Sequence, residues 1–179
     1  MQINHILKFA SAHFAIVLLT VMLRFELVAQ ETNAHYDHYS LMQNLPQWSA
    51  TILQQEAFSA RYQISVHMNP FFYEEDFDGD QKKDLAVFIE EKKSSKKGIL
   101  MLNGKTKQFE VLGAGSNFAN GGDDFSWMDV WRPDRKFKIL PNRKPPLPAG
   151  TSLWVEKTES ASARIYWNGQ EYHWFQDGD

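Results

Sequence analysis

The stretch LAVFIEEKKSSKKGILMLNGKTKQFEVL, Leu85 to Leu112, decides the fold. LAVFIEE is rich in the β-branched and aromatic residues that suit a pleated sheet. The basic loop KKSSKKG ends it, and Ile99 to Leu102 predicts the next strand. Asn103-Gly104 is a strong short-range hairpin signal, because both residues tolerate positive φ. Gln108 to Leu112 then returns. Together these segments predict a three-stranded antiparallel meander.

Downstream, Gly113 to Asp124 reads as a glycine-rich loop, and FSWMDVW, Phe125 to Trp131, as a partly buried aromatic segment. Arg132 to Gly150 carries five of the seven prolines and predicts irregular structure. A strand begins at Leu153, and TESASA follows as its turn. Arg164 to Trp167, Asn168-Gly169 and Glu171 to Gln176 predict a second hairpin of the asparagine-glycine type.

Upstream, Tyr62, Ile64, Val66 and Met68 alternate with polar residues, which is strand periodicity. Before them, Trp48, Ile52, Leu53, Ala57 and Phe58 predict one amphipathic helix from Pro46 to about Arg61. The fold class expected is α+β: a mainly antiparallel sheet, a meander and NG hairpins, with one amphipathic N-terminal helix. It occupies residues 46–179 as a single domain. Residues 31–45 form a polar N-terminal segment.

Residues 1–30 differ in kind. Lys8 lies in a short polar start, and FAIVLLTVML, Phe14 to Leu23, is apolar except for Thr20. This pattern predicts a secretory signal peptide cleaved after Ala29 or Gln30. An uncleaved anchor is the other reading, although a span needs about 20 apolar residues. The chain has no cysteine, so neither a disulfide nor a lipidated cysteine holds it. Without Lys8, Arg24 and Glu26, 17 basic and 21 acidic residues remain, a mildly acidic balance. Nothing in that charge favours nucleic acid. The localisation expected is export, to the periplasm or beyond the cell, with no membrane span in the mature protein.

Immediately before the meander stands DFDGDQKKD, Asp76 to Asp84. Carboxylates at its first, third, fifth and ninth positions suit calcium, which takes six to eight oxygen ligands. The expected ligands are Asp76, Asp78, Asp80 and Asp84, with the Lys82 carbonyl at the seventh position. Gly79 permits the bend. The alternative is a solvated acidic turn. Gln81 and Val87 stand where an EF-hand needs glycine and glutamate, so that motif does not apply.

DFDGDQKKDL resembles the FG-GAP or VCBS-type repeat, whose loop D-x-D/N-G-D-x-x-x-D-L runs into a strand. The resemblance covers only about residues 71 to 90 and lacks the tandem copies of that family. It implies a structural calcium ion between two strands. The affinity expected of an extracellular site is weak, about 10⁻⁴–10⁻³ M. The remaining segments more loosely resemble small secreted bacterial proteins with one such loop, and this supplies no activity.

Other candidates carry less. Gly113-x-Gly115-x-x-Phe118 lacks the third glycine of a dinucleotide fingerprint. Ser116 is not in a nucleophile elbow. His35 and His38 lie in the polar segment. Asp123, Asp124 and Asp129 beside Trp127 and Trp131 offer either a glycan-acting carboxylate pair or turn caps. Trp154, Tyr166, Trp167, Tyr172, Trp174 and Phe175 offer a core or an exposed aromatic strip for a protein or glycan partner. Three functions stay open: a non-enzymatic binding domain of the cell envelope, an envelope hydrolase, or an inhibitor or immunity-type partner.

Overall fold

The computed structural model describes residues 18–22, 24, 40–135 and 147–178. Most of the proposed signal peptide, with its cleavage site, and His35 and His38 lie outside the described residues. Residues 18–22 are helical, and Leu18, Leu19, Val21 and Met22 are exposed. Among the described residues, no helix is long and apolar enough to cross a membrane. The chain divides into residues 1–44 and residues 45–179. The second unit carries everything below.

That unit is α+β and mainly antiparallel. Two helices, α1 (Gln47–Leu53) and α2 (Glu56–Ser59), precede nine strands. Strands β1 (Tyr62–Ile64), β2 (Phe72–Glu75), β3 (Asp84–Glu91), β4 (Lys97–Leu102) and β5 (Phe109–Gly113) form one sheet. Strands β6 (Val130–Asp134), β7 (Ser152–Lys157), β8 (Ala161–Trp167) and β9 (Tyr172–Gly178) form the other, in sequential order. A 3₁₀ turn, Ala119–Gly121, lies between β5 and β6.

The meander is present: β3 pairs with β4, and β4 with β5, all antiparallel. Strand β3 is buried on both faces, so its sequence reads as a run rather than an alternation. Ala86 and Phe88 join Ile99, Met101 and Leu112 on one face. There they meet Trp131, Leu153, Val155, Ala163 and Ile165 of the second sheet in one continuous core. Leu85, Val87, Ile89, Leu100 and Leu102 face the other way and are equally buried. Ile52, Leu53 and Phe58 of the helices are buried too, and Phe58 touches the rings of Tyr62 and Phe109.

The single helix expected over Pro46 to Arg61 is instead two short ones, because Gln55 takes an extended conformation. Geometry explains the break. At about 100° per residue, Phe58 would lie about 140° around a continuous helix from Leu53. The break returns it to the buried side, while Ala57 is exposed.

The alternation from Tyr62 to Met68 is also cut short. Strand β1 stops at Ile64, and β2 resumes on the same edge of β3 at Phe72. Phe88 serves both sides of the gap: its carbonyl accepts from Ser65 N–H (2.9 Å) and its N–H donates to Phe71 O (2.8 Å). The excursion includes the cis Asn69-Pro70 bond and buries Met68 in the core.

Part of the proline-rich segment read as irregular is strand β6, with Pro133 paired to Leu153. Proline is tolerated there because β6 is an edge strand. Neither asparagine-glycine pair makes a two-residue turn. Residues 103–108 separate β4 from β5, and 168–171 separate β8 from β9. In each loop the asparagine carboxamide oxygen accepts two backbone N–H bonds, Lys105 and Thr106 at Asn103, Gln170 and Glu171 at Asn168.

Candidate metal centre

The acidic loop joins β2 to β3, and Phe77 within it is buried in the core. That anchor turns the neighbouring aspartates outward around a tight bend. Gly79 (φ 82°) and Gln81 (φ 69°) both take left-handed conformations.

Each carboxylate is held by main-chain N–H groups. Asp76 accepts from Gly79 (2.7 Å) and Gln81 (2.9 Å). Asp78 accepts from Asp80 N–H (3.0 Å) and from the Asn103 carboxamide (2.5 Å). Asp84 is 1% exposed and accepts from Phe77 (2.9 Å), Asp78 (3.2 Å) and Gly104 (2.8 Å).

Carboxylate oxygens of Asp76, Asp78 and Asp84 lie within 4.8 Å of one another. Asp80 is not one of the group; it accepts from Lys82 N–H (2.8 Å) and pairs with Lys105 at 3.5 Å. Of the expected side-chain ligands, three therefore converge.

The donor set is wholly carboxylate oxygen, which fits a hard cation such as calcium or magnesium and not a soft one. Burial pushes the Asp84 carboxyl above the ordinary aspartate range; Gly104 N–H opposes this, the Asp78 charge adds to it, and the N–H groups of Phe77 and Asp78 oppose it again. A cation at this point would reverse the balance by favouring the ionised form.

Two further segments grip the loop, and neither is marked in the sequence as its partner. From the first sheet, Gly104 sits so close to Lys83 that an added Cβ would lie 1.8 Å from its carbonyl oxygen. The glycine of Asn103-Gly104 thus serves contact rather than turn conformation. From the segment leading into β7, Thr151 N–H donates to Asp76 O (2.7 Å), and Cβ atoms added at Gly79 or Gly150 would strike the facing backbone. The loop therefore clips both sheets together. A glycine next to asparagine or before threonine carries no such information locally.

The carboxylates weighed for glycan chemistry are engaged elsewhere. Asp123 pairs with Lys96. Asp124 accepts from Lys97 N–H (2.9 Å), Ser126 N–H (3.0 Å) and Ser126 Oγ (2.9 Å). Asp129 caps the β7–β8 turn through Thr158 N–H and Oγ1 and pairs with Lys157. Bonds from Thr158, chiefly its backbone N–H, hold the Asp129 carboxyl below its ordinary range. Burial opposes ionisation of Asp124, yet the N–H groups of Lys97 and Ser126 and the serine hydroxyl bring its carboxyl below the usual value as well. A general acid needs the opposite shift.

The sign for stability follows. Asp124 has a lowered folded-state pKa, so its contribution is complete above the unfolded value and is lost as pH falls through the folded one. Wild-type protein should lose stability below about pH 4, and Asp124→Asn should flatten that acid limb. Thermal melts from pH 7 to pH 2.5 check this; parallel curves would refute it.

Comparison of the chain with family models, curated proteins and solved structures returns no match.

Proposed function

We propose that this is an exported, non-enzymatic binding domain of the cell envelope, in which calcium at Asp76, Asp78 and Asp84 acts as a structural clip. The convergence of those three carboxylates where both sheets are gripped carries the reading. An ion there would offset mutual repulsion and strengthen a junction between two layers. The ion's contribution is binding and charge neutralisation, with no chemistry of its own. Export rests on the apolar run from Phe14 to Leu23 behind the short polar start with Lys8. The FG-GAP-like spacing supports the loop and nothing further. A hydrolase is disfavoured because Asp123, Asp124 and Asp129 are committed to lysine or turn contacts. The partner is a protein or a glycan.

The test is a calcium titration of residues 31–179 followed by melting temperature, with chelator as control. Saturating calcium should raise Tm, and Asp78→Ala should abolish the rise while changing the chelated protein much less. A single-site gain at a hundredfold excess over Kd is about 2.7 kcal/mol. Equal losses in calcium and in chelator would make the loop a self-satisfied turn.

A further inference from the structure

The interior between the two sheets does not close at the end near the acidic loop. Along β4 and β5 the inward positions run Ile99, Met101 and Leu112, Glu110; along β8 and β9 they run Ile165, Trp167 and Trp174, Tyr172. The buried core takes in Met101 on β4 but stops at Leu112 on β5 and Ile165 on β8, with Trp174 and Tyr172 packed against it. The next layer opens as a cleft of about 300 Å³, whose walls include Asp78, Asn103, Gln108, Glu110, Trp167 and Tyr172. That volume is at the small end for an organic ligand.

Two properties set this cleft apart from a packing defect. First, four of its polar side chains are free, those of Gln108 and Glu110 at exposed positions and those of Trp167 and Tyr172 half-buried. Among the described residues, no hydrogen bond or ion pair engages the Glu110 carboxylate, the Gln108 carboxamide, the Trp167 indole N–H or the Tyr172 hydroxyl. Elsewhere the indole groups are used: Trp127, Trp131, Trp154 and Trp174 all donate. Second, among the described residues its charge has one sign: Asp78 and Glu110 line it, Glu171 lies close enough to raise the Glu110 carboxyl further after burial has done so, and none of the described wall residues is a lysine or arginine. The lysines of the neighbouring loop are turned to other partners, Lys105 to Asp80 and Lys107 to the Trp48 ring and Gly104 O. The Trp167 and Tyr172 rings meet edge to face, 4.9 Å between centroids, at the mouth.

An aromatic pair beside an uncompensated carboxylate selects a positive ligand over a neutral one. We infer that the cleft between Glu110 and the Trp167–Tyr172 pair binds a small organic cation, an alkylammonium or guanidinium group. Glu110 supplies the counter-charge, the rings supply the cation–π surface, and Gln108 is free to orient the ligand. The inference goes beyond the calcium reading; Asp78 touches both places, and Glu110 is the counter-charge that remains when an ion occupies the acidic loop.

Isothermal titration of residues 31–179 with spermidine and, separately, with N-acetyl-arginine amide tests it, in saturating calcium so that the acidic loop is not the target. At least one probe should bind and quench tryptophan fluorescence. Glu110→Gln should weaken binding at least tenfold, Trp167→Leu likewise, and Trp167→Phe should retain much of it. The stronger probe identifies the source as a free polyamine or a cationic side chain of a peptide. The calcium-induced rise in Tm should be unchanged in Glu110→Gln, which separates failure of this inference from failure of the metal reading. Silence from both probes at millimolar concentration would overturn the proposal, as would binding that ignores Glu110→Gln. Either result would leave Glu110 as an exposed charge guarding an edge strand.

Discussion

Asp84→Ala should cost on the order of 3 kcal/mol or more, with or without calcium, because three buried or half-buried N–H groups lose their acceptor. Those donors come from Phe77, Asp78 and Gly104, so one side chain ties the loop to itself and to the 103–108 connection. Asp84 also begins β3, paired with Glu75. Asp80→Ala is the proper comparison. Asp80 has the same chemistry one turn away but holds only Lys82 N–H and a long contact with Lys105. Its loss should cost about 1 kcal/mol or less, the scale of an exposed pair. Urea denaturation in chelator reads both variants without the ion. If the two cost the same, the loop is not the junction described above.

Arg164→Met should cost about 3–5 kcal/mol, the penalty for removing one partner of a buried ion pair. Arg164 lies on the face of β8 away from the shared core, yet its side chain is only 2% exposed. It pairs with Asp134 at 3.0 Å and Asp177 at 3.1 Å, and its guanidinium lies 4.8 Å from the Trp154 ring centroid. These residues come from β6, β9 and β7, so Arg164 joins all four strands of the second sheet. Methionine fills similar volume but leaves two carboxylates facing each other with little solvent. Adding Asp177→Asn should recover part of the loss, since it removes one of those charges. A double-mutant cycle in urea measures the recovery. No coupling between the two positions would show that Arg164 contributes packing alone.

The strands of the meander were legible because β3, β4 and β5 pair with near neighbours and carry strong local patterns. The acidic spacing likewise located the loop, and Phe77 and Asp84 fix its geometry. Legibility failed where distant segments set the outcome. The helix over Pro46 to Arg61 breaks because Phe58 must reach Phe109, which its own periodicity cannot express. Asn103-Gly104 reads as a tight turn, but its glycine answers to the Lys83 carbonyl across the sheet. Strand β6 was hidden by Pro133, whose missing donor matters little because, among the described residues, β6 is the edge of its sheet. Asp80 is indistinguishable in sequence from its neighbours, yet in the structure its carboxylate is engaged by Lys82 N–H and Lys105 and is not one of the convergent group.

The amino-acid sequence by itself determined the α+β class, the antiparallel meander and the place of the acidic loop. These follow from local periodicity, turn chemistry and charge spacing, which act over a few residues. Tertiary structure alone decided that three aspartates converge, that residues 103–104 and 149–151 grip them, and that Glu110 faces Trp167 and Tyr172 across a cleft. Those relations depend on how two sheets meet, and packing between segments far apart in the chain leaves no local pattern to read.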